Sequence, residues 1–218
     1  MFLSQFGEAF RLSTDGSFYM YAIALFGAIA AAIAIERIYY IVIRSNVNAD
    51  KFMAEVRKLV AGGNMDRAIA LCEKGKQKAL PFVVLRGLKR ANESDTLDFR
   101  AIQNAVDEGT LEVIPKLRDR TNYLSMLANV ATLTGLMGTI YGLILSFAAV
   151  GSQGVSEADK SRLLARGIST AMNTTIFGLM VAIPTLIAYT YITNRTNKII
   201  DELDEHLVKL INLITGNR

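Results

Sequence analysis

The 218-residue chain has one cysteine, one histidine and three prolines. With Cys72 alone, no disulfide can close within the chain, and one cysteine plus one histidine give no ligand set for a structural metal. No nucleophile–base pair, metal cluster or phosphate-binding loop stands out, so neither an enzyme nor a cofactor is expected. His206 lies on an amphipathic stretch, where a surface or interface position is expected. No strand pattern and no repeat of roughly 20–50 residues is visible. A cleavable signal peptide is not expected either. The apolar region begins near Phe18, has no basic segment immediately before it, and is too long for a signal core.

The most informative absence is of charge. All 44 Lys, Arg, Asp and Glu residues (24 basic and 20 acidic) fall outside three windows, 16–35, 121–156 and 167–194. A helix needs ~20 apolar residues to cross a hydrocarbon layer of ~30 Å, and each window is long enough. The chain is 51% hydrophobic, with a mean hydropathy of +0.30. These features predict an all-α membrane protein with three transmembrane helices.

What charge there is falls unevenly. Sixteen of the 24 basic residues lie from Arg37 to Arg120, and the flanks Arg37, Arg44, Arg118, Arg120, Arg195 and Lys198 are basic on one side of the spans. Basic flanks stay on the cytoplasmic side. The expected layout for a bacterial inner membrane is a periplasmic N-terminal amphipathic segment (1–17), transmembrane helix 1 (18–43) and a cytoplasmic helical loop (44–121). Transmembrane helix 2 (122–150), a periplasmic loop (151–166), transmembrane helix 3 (167–194) and a cytoplasmic C-terminal helix (195–218) follow. Acidic residues interleave with the basic ones in the large loop, so a solvated face is expected there and no nucleic acid.

Within the loop, apolar residues at helical spacing predict helices over Lys51–Val60 and Met65–Cys72, separated by Gly62-Gly63-Asn64. Pro81 should open a third helix, Phe82–Ala91. A fourth should start after Asp95 or Thr96 and run through Val113, with Pro115 interrupting or bending it. Ile199, Ile200, Leu203, Leu207, Leu210, Ile211 and Ile214 predict an amphipathic helix running on from the third span. Two of the transmembrane helices should therefore extend into a cytoplasmic helical bundle.

Inside the spans the polar residues are hydroxyls and amides. Thr132, Thr139 and Ser146 recur every seven residues with Gly135 and Gly142 between them, which places all five on one narrow helical face. Thr175, Gly178, Ala182, Thr185 and Tyr189 repeat that spacing in the third span, beside Asn173 and Thr174. Such faces serve either helix packing or the lining of a narrow passage that holds a partner helix. Pro184 interrupts the backbone ladder of the third span, either as a tolerated kink or as a flex point. Proton carriers inside membranes are usually carboxylates. The spans have none, so any ion crossing here needs a titrating group from another polypeptide.

Gly135-Leu-Met-Gly-Thr-Ile-Tyr-Gly142, followed by Ser146-Phe147, resembles the second-span signature of the MotA/TolQ/ExbB family, with Gly138 and Thr139 at its centre. Gly178-Leu-Met-Val-Ala-Ile-Pro184, with Thr175 upstream, resembles the third-span signature, and Glu36-Arg37 matches at the cytoplasmic boundary of the first span. Three spans fit the TolQ/ExbB branch better than four-span MotA. The resemblance implies a homo-oligomer, a pentamer in this family, surrounding the membrane helices of a one-span TolR/ExbD-type partner. That partner supplies the ion-binding aspartate, and Thr139 and Thr175 line its surroundings. Ion flow through such a motor drives work in the periplasm or outer membrane. Thr170 stands where many relatives have a glutamate. With Ser169, Asn173, Thr174 and Thr175 it forms a hydroxyl-rich entrance that keeps sodium open as an alternative to the proton. A structural scaffold recruiting cytoplasmic partners is the alternative from a different class.

Overall fold

A computed structural model describes residues 17–45, 48–93, 98–151, 156–214 and 216. The expected amphipathic segment over Met1–Arg11, the helix start at Asp95 or Thr96, and positions 152–155 of the expected periplasmic loop lie outside the described residues. Among the described residues there is no strand. The helices are α1 (Ser17–Ile38, continued by a π-helical turn over Tyr39–Arg44), α2 (Ala49–Ala61), α3 (Met65–Lys74), α4 (Ala79–Glu93), α5 (Phe99–Arg118), α6 (Thr121–Val150) and α7 (Glu157–Ile214). Three stretches, Ser17–Ile43, Phe99–Val150 and Glu157–Ile214, are long and apolar enough to cross a membrane.

Local chemistry sets the helix boundaries. The Asn48 side chain accepts from Lys51 N (3.1 Å) to cap α2, and Asp98 accepts from Arg100 N (2.9 Å) to cap α5. α2 ends where Gly63 takes a left-handed conformation (φ +72°). Gly63 N then donates to Val60 O (3.0 Å) and Asn64 N to Leu59 O (2.9 Å), a Schellman closure that separates α2 from α3. Pro81 falls in the first turn of α4, where its missing N–H would have had no helical partner.

Two boundaries differ from the sequence expectation. Pro115 lies inside α5, and the chain breaks afterwards, at Asp119–Arg120, where Arg120 adopts a left-handed conformation (φ 57°). α7 begins at Glu157, so 157–166, expected as loop, is helical. Ser156 sets that start. Its hydroxyl accepts from Asp159 N (3.2 Å) and donates to Asp159 Oδ2 (2.7 Å), a variant of the capping box. At ~1.5 Å per residue the 58 residues of α7 measure roughly 87 Å, far more than a hydrocarbon layer of ~30 Å.

The chain divides into two compact units. The first comprises residues up to Ile35 together with Arg120–Thr190. There α1 packs on α7 with Gly27 against Val181, and on α6 with the rings of Tyr19 and Tyr141 5.6 Å apart. Its buried residues are mostly small: Ala30, Ala128, Ala131, Ala171 and Ala182, beside Met20, Ile23 and Leu124. The second comprises Glu36–Asp119 and Tyr191–Arg218. Its core is aliphatic, with Met53, Val56, Val83, Val84, Leu88, Ile102, Val106, Leu117, Leu203, Leu207 and Leu210 buried. The ion pairs Lys89–Glu73 (2.8 Å) and Arg86–Glu112 (3.4 Å) stay half-exposed around that core, where such pairs contribute little.

Candidate functional site

The small residues of the second and third spans meet in one seam. A Cβ placed on Gly178 would lie 2.8 Å from the Ala131 carbonyl oxygen and 3.2 Å from Gly135 Cα. One placed on Gly135 would lie 3.1 Å from the Thr174 carbonyl oxygen. Backbone therefore touches backbone at Gly135–Gly178. The seam continues with Gly138 against the Thr174 side chain, Gly142 against Ala171, and Gly167 against Ser146. Only residues without bulk allow α6 and α7 to approach this closely, and in lipid such van der Waals contact is what holds helices together.

Two hydroxyls of α7 cross the seam. Thr175 Oγ1 donates to Gly135 O (3.0 Å), and Thr174 Oγ1, fully buried, donates to Ala171 O (2.7 Å) with Gly135 O at 3.4 Å. Four others bond back along their own helix: Thr132 to Ala128 O (3.1 Å), Thr139 to Leu136 O (2.6 Å), Ser146 to Gly142 O (2.7 Å) and Thr170 to Arg166 O (3.0 Å). Every one of these donors is thus committed to a carbonyl. A hydroxyl oxygen keeps acceptor lone pairs after donating its proton. The seam can accept from water or coordinate a cation, and it has no group that titrates near neutral pH.

The five-residue face expected on α6 is divided. Gly135 and Ser146 are buried in the seam and Gly142 packs onto Ala171, whereas Thr132 and Thr139 are half-buried on its shoulder. On α7 the buried register is Ala171, Thr174, Gly178, Ala182 and Thr185, with Thr175 and Thr170 half-buried. Asn173, one residue before Thr174 and so about 100° around the helix, is half-buried as well. α7 passes Pro184, which is solvent-accessible, without a break. Gly167 belongs to the seam although the sequence reading passed over it. Extending the small-residue pattern of α7 one more turn toward its N-terminus would have found it.

Glu36 and Arg37 separate sharply. Glu36 is exposed, whereas Arg37 is 3% exposed and donates through Nη2 to Lys116 O (3.2 Å) and Leu117 O. Its guanidinium also lies 5.1 Å from the centre of the Tyr40 ring. Arg37 therefore satisfies the last carbonyls of α5 and balances the negative end of that helix. Of the surface and interface positions expected for His206, the structure shows one between helices: it is 4% exposed, with Nε2 3.5 Å from Asp50 Oδ1 and Nδ1 buried without a partner. In the same unit, burial pushes the Cys72 thiol up to about 12.

The chain is similar to known proteins. The family model for the MotA/TolQ/ExbB proton channel family matches residues 76–205. A relative from Methanothermobacter thermautotrophicus, named as a biopolymer transport ExbB homologue, is 29% identical over 91% of this chain and 68% of its own length. A biopolymer transport ExbB-like protein of Synechocystis is 32% identical over 74% of each chain. The Tol-Pal system protein TolQ of Haemophilus influenzae is 35% identical over 39% of this chain and 36% of its own. The glycines of both signature segments pack α6 against α7, and with a match over more than half its length the chain belongs to the MotA/TolQ/ExbB proton channel family.

Proposed function

We propose that this chain is the ring-forming subunit of an inner-membrane motor driven by the proton motive force. Several copies, five in the reading favoured by the family resemblance, surround the membrane helices of a one-span TolR/ExbD-type partner. Ion flow is coupled to mechanical work in the periplasm or outer membrane. The observation that carries this reading is the lack of any Lys, Arg, Asp or Glu in the three apolar windows of a proton-channel family member. A carboxylate is the usual intramembrane proton carrier. An aspartate on the partner helix fills that role, and the half-buried Thr139 and Thr132 on the shoulder of the seam offer it hydroxyl oxygens.

The test is ion-dependent activity of the chain co-expressed with an aspartate-bearing one-span partner. Thr139→Val keeps the shape and removes the hydroxyl, and should lower activity about tenfold or more, the effect of removing one hydrogen bond from a buried charged group. Thr175→Val should also lower it, partly through its bond to Gly135 O. Full activity in both variants would sink the lining assignment. Removing sodium from the assay decides the ion: activity that persists is proton-driven, and activity that stops makes the neutral oxygens around Thr170 a sodium path.

A further inference from the structure

The second unit contains a cleft lined by residues to which the proposed ion path assigns no role. It encloses about 210 Å³ between the π-helical turn, the α3–α4 connection and the end of α5. A water occupies about 30 Å³ of liquid, so the cleft can hold a small polyatomic group with part of its hydration. Lys76, Lys78 and Lys116 line it, together with Tyr40, Ser45 and Phe82. Ser45 is 5% exposed, so a hydroxyl-bearing residue forms part of the inner wall.

The charged side chains that line the cleft are all lysines. Two carboxylates lie near them: Glu112 beside Lys116 (2.8 Å), which is also paired with Arg86 (3.4 Å), and Glu73, which feels Lys76 and is paired with Lys89 (2.8 Å). Two helix ends flank the cleft. Ala79, first residue of α4, lies in its lining and brings the positive end of that helix. Lys116 and Leu117 bring the end of α5, but their carbonyls accept from Arg37, which cancels the negative end. Three ammonium groups, a helix N-terminus and hydroxyl-bearing side chains in one cleft suit a tetrahedral oxyanion.

The position of the cleft narrows the source. Ser45 lies two positions past the apolar stretch Ser17–Ile43, and Tyr40 falls in the last turn of that stretch. Residues at the end of a span lie at the depth of lipid headgroups, where basic clusters recruit acidic lipids.

We propose that this cleft binds a phosphate group through Lys76, Lys78 and Lys116, as the phosphodiester of an acidic lipid headgroup or as free phosphate. The full chain in detergent is titrated calorimetrically with short-chain phosphatidylglycerol, short-chain phosphatidylcholine and inorganic phosphate. Phosphatidylglycerol should bind saturably and more tightly than phosphatidylcholine. The double variant Lys76→Gln/Lys78→Gln should weaken it about thirtyfold, the loss expected for two lysines. Lys51→Gln/Lys58→Gln, which removes the same charge from exposed positions on α2, should leave it unchanged. Inorganic phosphate binding as tightly as phosphatidylglycerol identifies free phosphate as the source, and saturable binding of the lipid alone identifies the headgroup. The proposal fails if neither binds saturably, if phosphatidylcholine binds as well as phosphatidylglycerol, or if both double variants weaken binding equally. Slow alkylation of Cys72 in each variant shows that the second unit stays folded.

Discussion

The two units solve helix packing with different materials. In the first, α6 and α7 meet through glycine and backbone, with Gly178 against the Ala131 carbonyl and Gly135 against that of Thr174. In the second, α4 and α5 also approach at glycines, but Gly87 meets the Val106 side chain and Gly109 meets Val83 and Arg86. The solvent explains the contrast. Lipid tails are as apolar as leucine, so burying aliphatic bulk drives little association between spans, and close contact is what remains. In water, each fully buried aliphatic side chain contributes about 1.5–3 kcal/mol, and Leu88, Leu203 and Leu210 serve that purpose.

This contrast should break first at the aliphatic core. Leu210 is fully buried, and Leu210→Ala should cost about 2–5 kcal/mol of second-unit stability. Cys72 reports it directly, because a buried thiol with a pKa near 12 reacts only when the unit opens. Alkylation should be faster by about thirtyfold or more, at a factor of ten per 1.4 kcal/mol. Unchanged labelling would mean that the second unit does not depend on its aliphatic core.

A glycine pair sharpens the contrast at intermediate cost. Gly178→Ala pushes a methyl into a carbonyl oxygen 2.8 Å away that belongs to rigid helix backbone, so α6 and α7 must separate. Overpacking of this kind costs about 1–3 kcal/mol. Gly87→Ala meets Val106 Cγ2 at 2.7 Å, a side-chain methyl that can shift. Thermal unfolding in detergent should show the larger loss for Gly178→Ala. The reverse order would mean that the seam is looser than its contacts imply.

The spans were legible in the sequence because absence of charge over a bilayer's thickness is a strong, context-free signal. So was the α2–α3 boundary, because Gly62-Gly63-Asn64 carries the chemistry of a Schellman closure. Three things were harder. Pro115 suggested a break or a bend in the fourth loop helix; α5 runs through it to Arg118, and the chain turns at Arg120, whose left-handed backbone no residue type announces. The start of α7 was signalled by Ser156 and Asp159, a cap that is easily passed over when a loop is expected. The seam was half legible. Spacing identified a small-residue face on each span, but Gly135 and Thr139 are only 40° apart on an ideal helix, and which of them faces the partner helix is decided by packing. His206 was left between surface and interface for a similar reason: on α7 beyond the span, its burial depends on what the rest of the second unit lays over it.

The smallest expected difference between the units is their response to acid. Glu73, Glu112 and Glu205 all belong to the second unit, and each is held below the ordinary carboxylate value by a hydrogen bond from Lys89, Lys116 or Lys209 respectively. A carboxyl whose pKa is lowered by folding adds stability that is complete above its unfolded value, near 4.5. That contribution is lost as the pH falls through the lowered, folded value. All three pairs are exposed and therefore screened by salt, so the effect is modest and should shrink at high ionic strength. The seam between α6 and α7 contains no carboxylate and should not respond. Hydrogen exchange, corrected for the intrinsic pH dependence of amide exchange, should show protection of α3–α5 falling below pH 4.5 while that of Gly135–Gly142 holds. Replacing the three lysines with glutamine should flatten the response of α3–α5. Equal acid sensitivity in both regions would show that their stabilities are coupled, and would end the division of labour between a charge-free seam and an aliphatic core ringed by ion pairs.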